Sequence, residues 1–102
     1  MEIGFDNKTI LVTGAVRGIG KTICHHFAKS GGNIWALDIE TDLLKNVTDG
    51  LEADIAKRIS TIQVDVTKPK QLAEAVKSIE ASSTSGSVDI VVHSAGGVRS
   101  RF

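Results

Sequence analysis

The chain has 102 residues carrying 12 basic and 12 acidic side chains, a net charge of zero with histidine neutral. That balance supplies no field for nucleic acid or an anionic membrane, and the length bounds the chain at one domain with a modest core. Cys24 is the only cysteine, which excludes a disulfide framework and a cysteine-based zinc site.

No stretch approaches the roughly 20 apolar residues of a membrane helix. The opening MEIGFDNKT lacks the basic and apolar blocks of a signal peptide, so the expected compartment is the cytoplasm. Residues 1–7 read as a short lead-in, with Phe5 expected against the sheet edge. A first strand over 8–13 is apolar on both faces, as in a parallel strand covered by helices on each side. Thr13-Gly14 closes it, and Gly18 and Gly20 punctuate the start of a helix over 18–30. That helix has Ile19, Ile23 and Phe27 at i, i+4 and i+8, and Gly31-Gly32 stops it.

A second strand, 33–37, ends at Asp38. Thr41 reads as the N-cap of the next helix, whose Leu43, Leu44 and Val47 are expected to face the core. Gly50 predicts a break or a second short helix, after which Leu51, Ile55 and Ile59 continue a four-residue rhythm. The third strand is expected over 61–64, reaching Asp65-Val66. A third helix should begin near 67–69, with Pro69 in its first turn and Leu72, Val76 and Ile79 on its inner face. The run ASSTSGS over 81–87 reads as a flexible connection, and a fourth strand over 88–93 leads into Ser94-Ala95-Gly96-Gly97. Strands alternating with helices predict an α/β fold with an open parallel sheet, helices on both faces and strand order 3-2-1-4. The cleft then lies between strands 1 and 4.

The chemistry concentrates after the first strand. The first turn of a helix leaves backbone N–H groups without partners and carries a partial positive charge. Glycines let a phosphate come close to them without meeting a Cβ. Gly14, Gly18 and Gly20, spaced TGxxxGxG, therefore read as a diphosphate cradle, a variant of the dinucleotide fingerprint. The same residues admit a second owner. Ala15–Thr22, AVRGIGKT, matches a relaxed P-loop with Lys21 and Thr22 in the phosphate and magnesium positions, although Ala15 stands where that motif has Gly. Asp38 follows Gly14 by 24 positions, about where a carboxylate accepts hydrogen bonds from an adenosine ribose; it could equally cap the next helix.

Thr13-Gly14-Ala15-Val16-Arg17-Gly18-Ile19-Gly20, then Asp38, then Asp65-Val66, then Asp89 ahead of Ser94-Ala95-Gly96, resemble the N-terminal half of a short-chain dehydrogenase/reductase over essentially the whole chain. The P-loop alternative leaves the Asp-Val and Ala-Gly elements without a role. The resemblance implies a Rossmann-like dinucleotide-binding domain over 1–102, incomplete relative to the family and truncated after strand 4. It implies that Gly14, Arg17, Gly18, Ile19 and Gly20 hold the diphosphate and adjoining ribose, with Thr13 bracing the loop. Asp38 would bind the adenosine ribose, Asp65 and Val66 would line the adenine pocket, and Ser94, Ala95 and Gly96 would pass beneath the nicotinamide ribose. Where the family has Asn-Asn-Ala-Gly this chain has His93-Ser94-Ala95-Gly96, which puts the sheet-bracing bonds of those amides in question.

A carboxylate at Asp38 disfavours the 2′-phosphate of NADP, so NAD is the expected cofactor, with NADP the runner-up through Arg17. The implied activity is hydride transfer between a nicotinamide and an alcohol or carbonyl substrate. The family's Tyr-x-x-x-Lys has no counterpart here, since the chain contains no Tyr, so these 102 residues alone are expected to be inactive. Adjacent His25 and His26 lack the spacing of a helical metal pair and read as solvated surface. Cys24 reads as a small core side chain, His93 as a satisfied strand-end histidine, and Ser94 has no recognisable base and orienter around it for a hydrolase triad. The alternatives are a non-catalytic dinucleotide-binding module and an interaction module that pairs, with a second copy or another chain, through the strand 4 edge.

Overall fold

The computed structural model describes residues 4–15, 18–83 and 86–94. Four strands, β1 (Thr9–Thr13), β2 (Asn33–Asp38), β3 (Ile59–Gln63) and β4 (Ile90–His93), form one parallel sheet in the order β3-β2-β1-β4. The helices are α1 (Gly18–Lys29), α2 (Thr41–Leu44), α3 (Ala53–Ala56) and α4 (Pro69–Ser82).

Side chains alternate across a strand, so the apolar run of β1 feeds two cores. Ile10 and Val12, with Ile34, Ala36 and Ile59, pack under Cys24 and Ala28 of α1 and under Leu44 and Val47. On the opposite face Leu11 and Leu37 meet Ala75 and Ile79 of α4, with Trp35, Ile62, Leu72 and Val76 around them. Full burial of each Ile, Leu or Val contributes about 1.5–3 kcal/mol, and β1 supplies three such side chains. The predicted α/β architecture, strand order and two-sided helical cover are all present.

Several boundaries differ from the expected ones. Strand β3 begins at Ile59, two residues early, because Ile59 pairs with Ile34 instead of continuing a helix. The segment behind β2 is two single turns, α2 and α3, separated at Gly50. Thr41 is the first helical residue of α2 and not its cap; Glu40 holds the cap position without a side-chain bond. Leu43 is 44% exposed, off the core face. Helix α4 runs through Ser82, so the first two residues of the expected 81–87 connection are helical. Strand β4 starts at Ile90, with Asp89 as a tie: its N–H donates to Thr9 O at 2.9 Å and its Oδ2 accepts from Thr9 N at 2.8 Å. Phe5 packs edge-on against Phe27 of α1, ring centroids 4.9 Å apart, and joins the first core. His25 is half-buried, with Nε2 2.6 Å from Val47 O, so it ties α1 to the segment after α2 instead of facing solvent.

The registers set the site. Thr13 lies opposite Leu37 on one side and His93 on the other, and Asp38 lies opposite Gln63. The four strands finish nearly level, which lines up Gly14, Asp38, Val64 and Ser94 along one edge of the sheet.

Candidate functional site

Gly14 turns the chain out of β1 with φ 67, a conformation that side chains disfavour. Its N–H donates to Leu37 O at 2.9 Å, and the next N–H, of Ala15, reaches the same carbonyl at 3.4 Å. The turn is thus anchored to the end of β2. Helix α1 opens at Gly18, whose surroundings are open: a Cβ there would meet nothing within 4 Å. Gly20 is the reverse. A Cβ there would lie 2.2 Å from Gly14 O and 2.6 Å from Ser94 Oγ, so the helix can press onto the turn only because that side chain is missing.

Ile19 is 75% exposed and belongs to this rim, not to the core stripe that its spacing with Ile23 and Phe27 had suggested. The first turn of α1 has no acidic side chain, so no carboxylate of its own competes there with an anion.

Asp38 is 8% exposed at the end of β2, and its Oδ1 accepts from Glu40 N at 3.1 Å. That bond reaches the N-cap residue and not an N–H of the first helical turn, so Asp38 shapes the approach to α2 without capping it, at the edge of the sheet. Ile39, Glu40, Thr41, Asp42 and Leu43 line a shallow recess immediately after it. Asp65, half-buried, accepts from Thr67 Oγ1 at 2.6 Å and from Thr67 N at 3.0 Å through one oxygen. Those two bonds hold its carboxyl below the usual value of 3.8. Its own N–H donates to Gln71 Oε1 at 3.1 Å. The Asp65–Thr67 turn shapes the start of α4, and Val66 packs against the second core.

Ser94 stands on the other side of the glycine turn. Its N–H donates to Thr13 O at 3.0 Å, and its hydroxyl lies 2.6 Å from Thr13 O and 3.1 Å from Gly14 O. Beside it, His93 Nδ1 is 3.2 Å from Thr13 Oγ1. Imidazole and hydroxyl thus supply bracing bonds between β4 and β1. Sequence reasoning did not find this use of Ser94; the Thr13–His93 register, invisible before the sheet is built, is what reveals it.

The sheet therefore brings Thr13, Gly14, Gly18, Ile19, Gly20, Asp38, Asp65, Val66 and Ser94 to one end of the molecule. Arg17, Ala95 and Gly96 lie outside the described residues. Among the described residues no group of three or more His, Cys, Asp or Glu side chains could hold a metal ion, and no helix is long and apolar enough to cross a membrane. Cys24 is buried in the first core, where desolvation pushes its thiol up to about 12.

Comparison with known proteins agrees with this fold. The chain is 38% identical over 89 residues to the oxidoreductase UcpA of Escherichia coli K12, covering 87% of this chain and 32% of that protein. It is 34% identical over 96 residues to the 7alpha-hydroxysteroid dehydrogenase of the same organism, covering 94% of this chain and 36% of that one. Among solved structures, a short-chain type dehydrogenase/reductase from Mycobacterium ulcerans superposes with a TM-score of 0.81 at 31% identity, over 95% of this chain and 35% of that one. The chain thus spans about a third of the length of these proteins. The family model described as short chain dehydrogenase matches residues 8–102, and the chain belongs to that family.

Proposed function

We propose that this chain is the cofactor-binding portion of an NAD-dependent oxidoreductase acting on an alcohol or carbonyl substrate. The observation that carries the reading is the meeting of an open, glycine-lined helix start with a buried carboxylate one strand away, at the level end of a parallel sheet. Open α/β sheets bind ligands at that end, where the strand order reverses. The residues present fit a dinucleotide: Gly18 leaves space, and Gly14 and Gly20 permit the tight turn that a Cβ would fill.

In this reading the N–H groups around Gly18–Gly20 and Arg17 hold the diphosphate, and Asp38 accepts from the adenosine ribose. Asp65 and Val66 flank the adenine; Ser94, Ala95 and Gly96 adjoin the nicotinamide ribose. The bound nicotinamide supplies or accepts the hydride. With no Tyr in the chain, a tyrosine proton donor, a group typically worth about 10²–10⁴ in rate, does not come from these 102 residues. The residues are therefore expected to bind cofactor without turning over substrate.

NAD is favoured over NADP. A 2′-phosphate placed beside Asp38 would face a like charge at a cost of about 1–4 kcal/mol. Residues 39–44 add Glu40 and Asp42 and no Lys or Arg. Titration of the folded chain with NAD, NADP and Mg·ATP tests the reading: NAD should bind most tightly, and Gly14→Val should abolish binding. Preference for Mg·ATP would overturn it in favour of a P-loop protein.

A second reading has its own observation. Strand β4 is an edge of the described sheet, and its Val91 is 51% exposed although it lies opposite the buried Leu11. We read that edge as a place where the sheet is extended by pairing with further polypeptide, a second copy included. Sedimentation of the chain as a monomer at all concentrations would refute self-pairing.

A further inference from the structure

The hydroxyl of Ser94 is committed to two main-chain carbonyls, and those carbonyls belong to the very turn on which the diphosphate is read to sit. Glycine at position 14 lets the peptide that follows it rotate with little steric penalty, so the direction of the Gly14 carbonyl has to be fixed from outside. Three contacts fix it. From β2, Leu37 O accepts from the Ala15 N–H, which shares a peptide plane with the Gly14 carbonyl, at 3.4 Å. From α1, Gly20 closes over the Gly14 oxygen so tightly that a Cβ would come within 2.2 Å. From β4, Ser94 Oγ approaches Thr13 O at 2.6 Å and Gly14 O at 3.1 Å.

One hydroxyl hydrogen serves both oxygens, with the larger share going to the closer one. The short side chain can do this because the Thr13–His93 register sets Ser94 beside the turn. A carbonyl swung outward would point its negative end at the negative diphosphate. Held inward, the Gly14 carbonyl presents no negative end to a diphosphate at the start of α1.

We propose that Ser94 is a positioning residue for the cofactor turn, its hydroxyl holding the Thr13 and Gly14 carbonyls inward so that a bound diphosphate meets amide hydrogens. The proposal rests on the dinucleotide reading above. A purely structural brace between β4 and β1 would affect the whole strand end and every ligand alike, whereas a carbonyl clamp acts on the turn and on phosphate.

The test compares the 102-residue wild type with Ser94→Ala and with Ser94→Thr, which keeps the hydroxyl. Amide hydrogen exchange is measured without ligand, and dissociation constants for NAD, ADP and adenosine by NMR titration. Ser94→Ala should speed exchange at Gly14 and Ala15 about tenfold while the β2 amides stay protected. It should raise the dissociation constants for NAD and ADP about five- to tenfold, leave adenosine within about twofold, and be rescued by Ser94→Thr. Equal loss for adenosine and ADP, or faster exchange spread evenly through the sheet, would reduce Ser94 to a brace and overturn the clamp. Unchanged constants in Ser94→Ala would refute the clamp and spare the cofactor reading. A wild type that binds neither NAD nor ADP would refute that reading, and with it any role toward diphosphate.

Discussion

Substitution of Gly20 by alanine offers the sharpest test of how the turn is built. In an ordinary helix the change stabilises, because alanine is favoured over glycine by about 0.8–1 kcal/mol. Here the new methyl would lie 2.2 Å from Gly14 O, and reaching even 3.0 Å requires a displacement of about 0.8 Å. The obstacle is a main-chain oxygen, flanked by Ser94 Oγ at 3.1 Å, so it cannot swing aside as a flexible side chain would. Overpacking of this kind costs about 1–3 kcal/mol. The clash therefore cancels or outweighs the propensity gain, for a net loss of about 0–2 kcal/mol. The control is Gly18→Ala, where nothing lies within 4 Å and the stability should hold or rise by a few tenths of a kcal/mol. Urea unfolding followed by Trp35 fluorescence reads both. Gly20→Ala more stable than the wild type by about the 0.8–1 kcal/mol of an ordinary helix position would show that α1 does not press on the turn, and the close-packed cradle would have to be abandoned. NAD affinity should fall in both variants, which separates the folding role of Gly20 from the ligand space at Gly18.

Three further outcomes follow from individual groups. Asp38→Asn keeps an acceptor for the Glu40 N–H while removing the charge, so the ratio of NADP to NAD affinity should rise about tenfold or more; an unchanged ratio would exclude Asp38 from cofactor choice. Asp65 should titrate below 3.8 by NMR, and Thr67→Val should bring it back toward that value. Because the folded carboxyl is lowered, its contribution to stability is present above the unfolded value and is lost as pH falls through the folded one. Cys24, raised from 9.0 to about 12 by burial, should resist alkylation until the chain unfolds. The folded form favours the protonated thiol, so the stability it contributes is intact below pH 9.0 and is lost as pH climbs toward 12; a flat stability across that window would contradict the burial.

The sequence alone determined the order of elements, the parallel sheet and its 3-2-1-4 arrangement. Those follow from local periodicity, glycine punctuation and the handedness of crossovers, all of which reside in neighbouring residues. Gly14 and Asp38 were legible as strand-end residues for the same reason, each standing at the end of an apolar run. Side chains whose surroundings come from distant segments were not. Ile59 continued a helical rhythm on paper yet became a strand residue, because pairing with Ile34 buries it better. Ile19 matched the core stripe of α1 but lies on the open rim, and His25 found Val47 O 22 positions away. Ser94 was legible as following the fourth strand; its hold on Thr13 and Gly14, 80 or 81 positions earlier, exists only once β4 is seated beside β1. Hydrogen bonds of that range depend on register, and register is a property of the folded sheet.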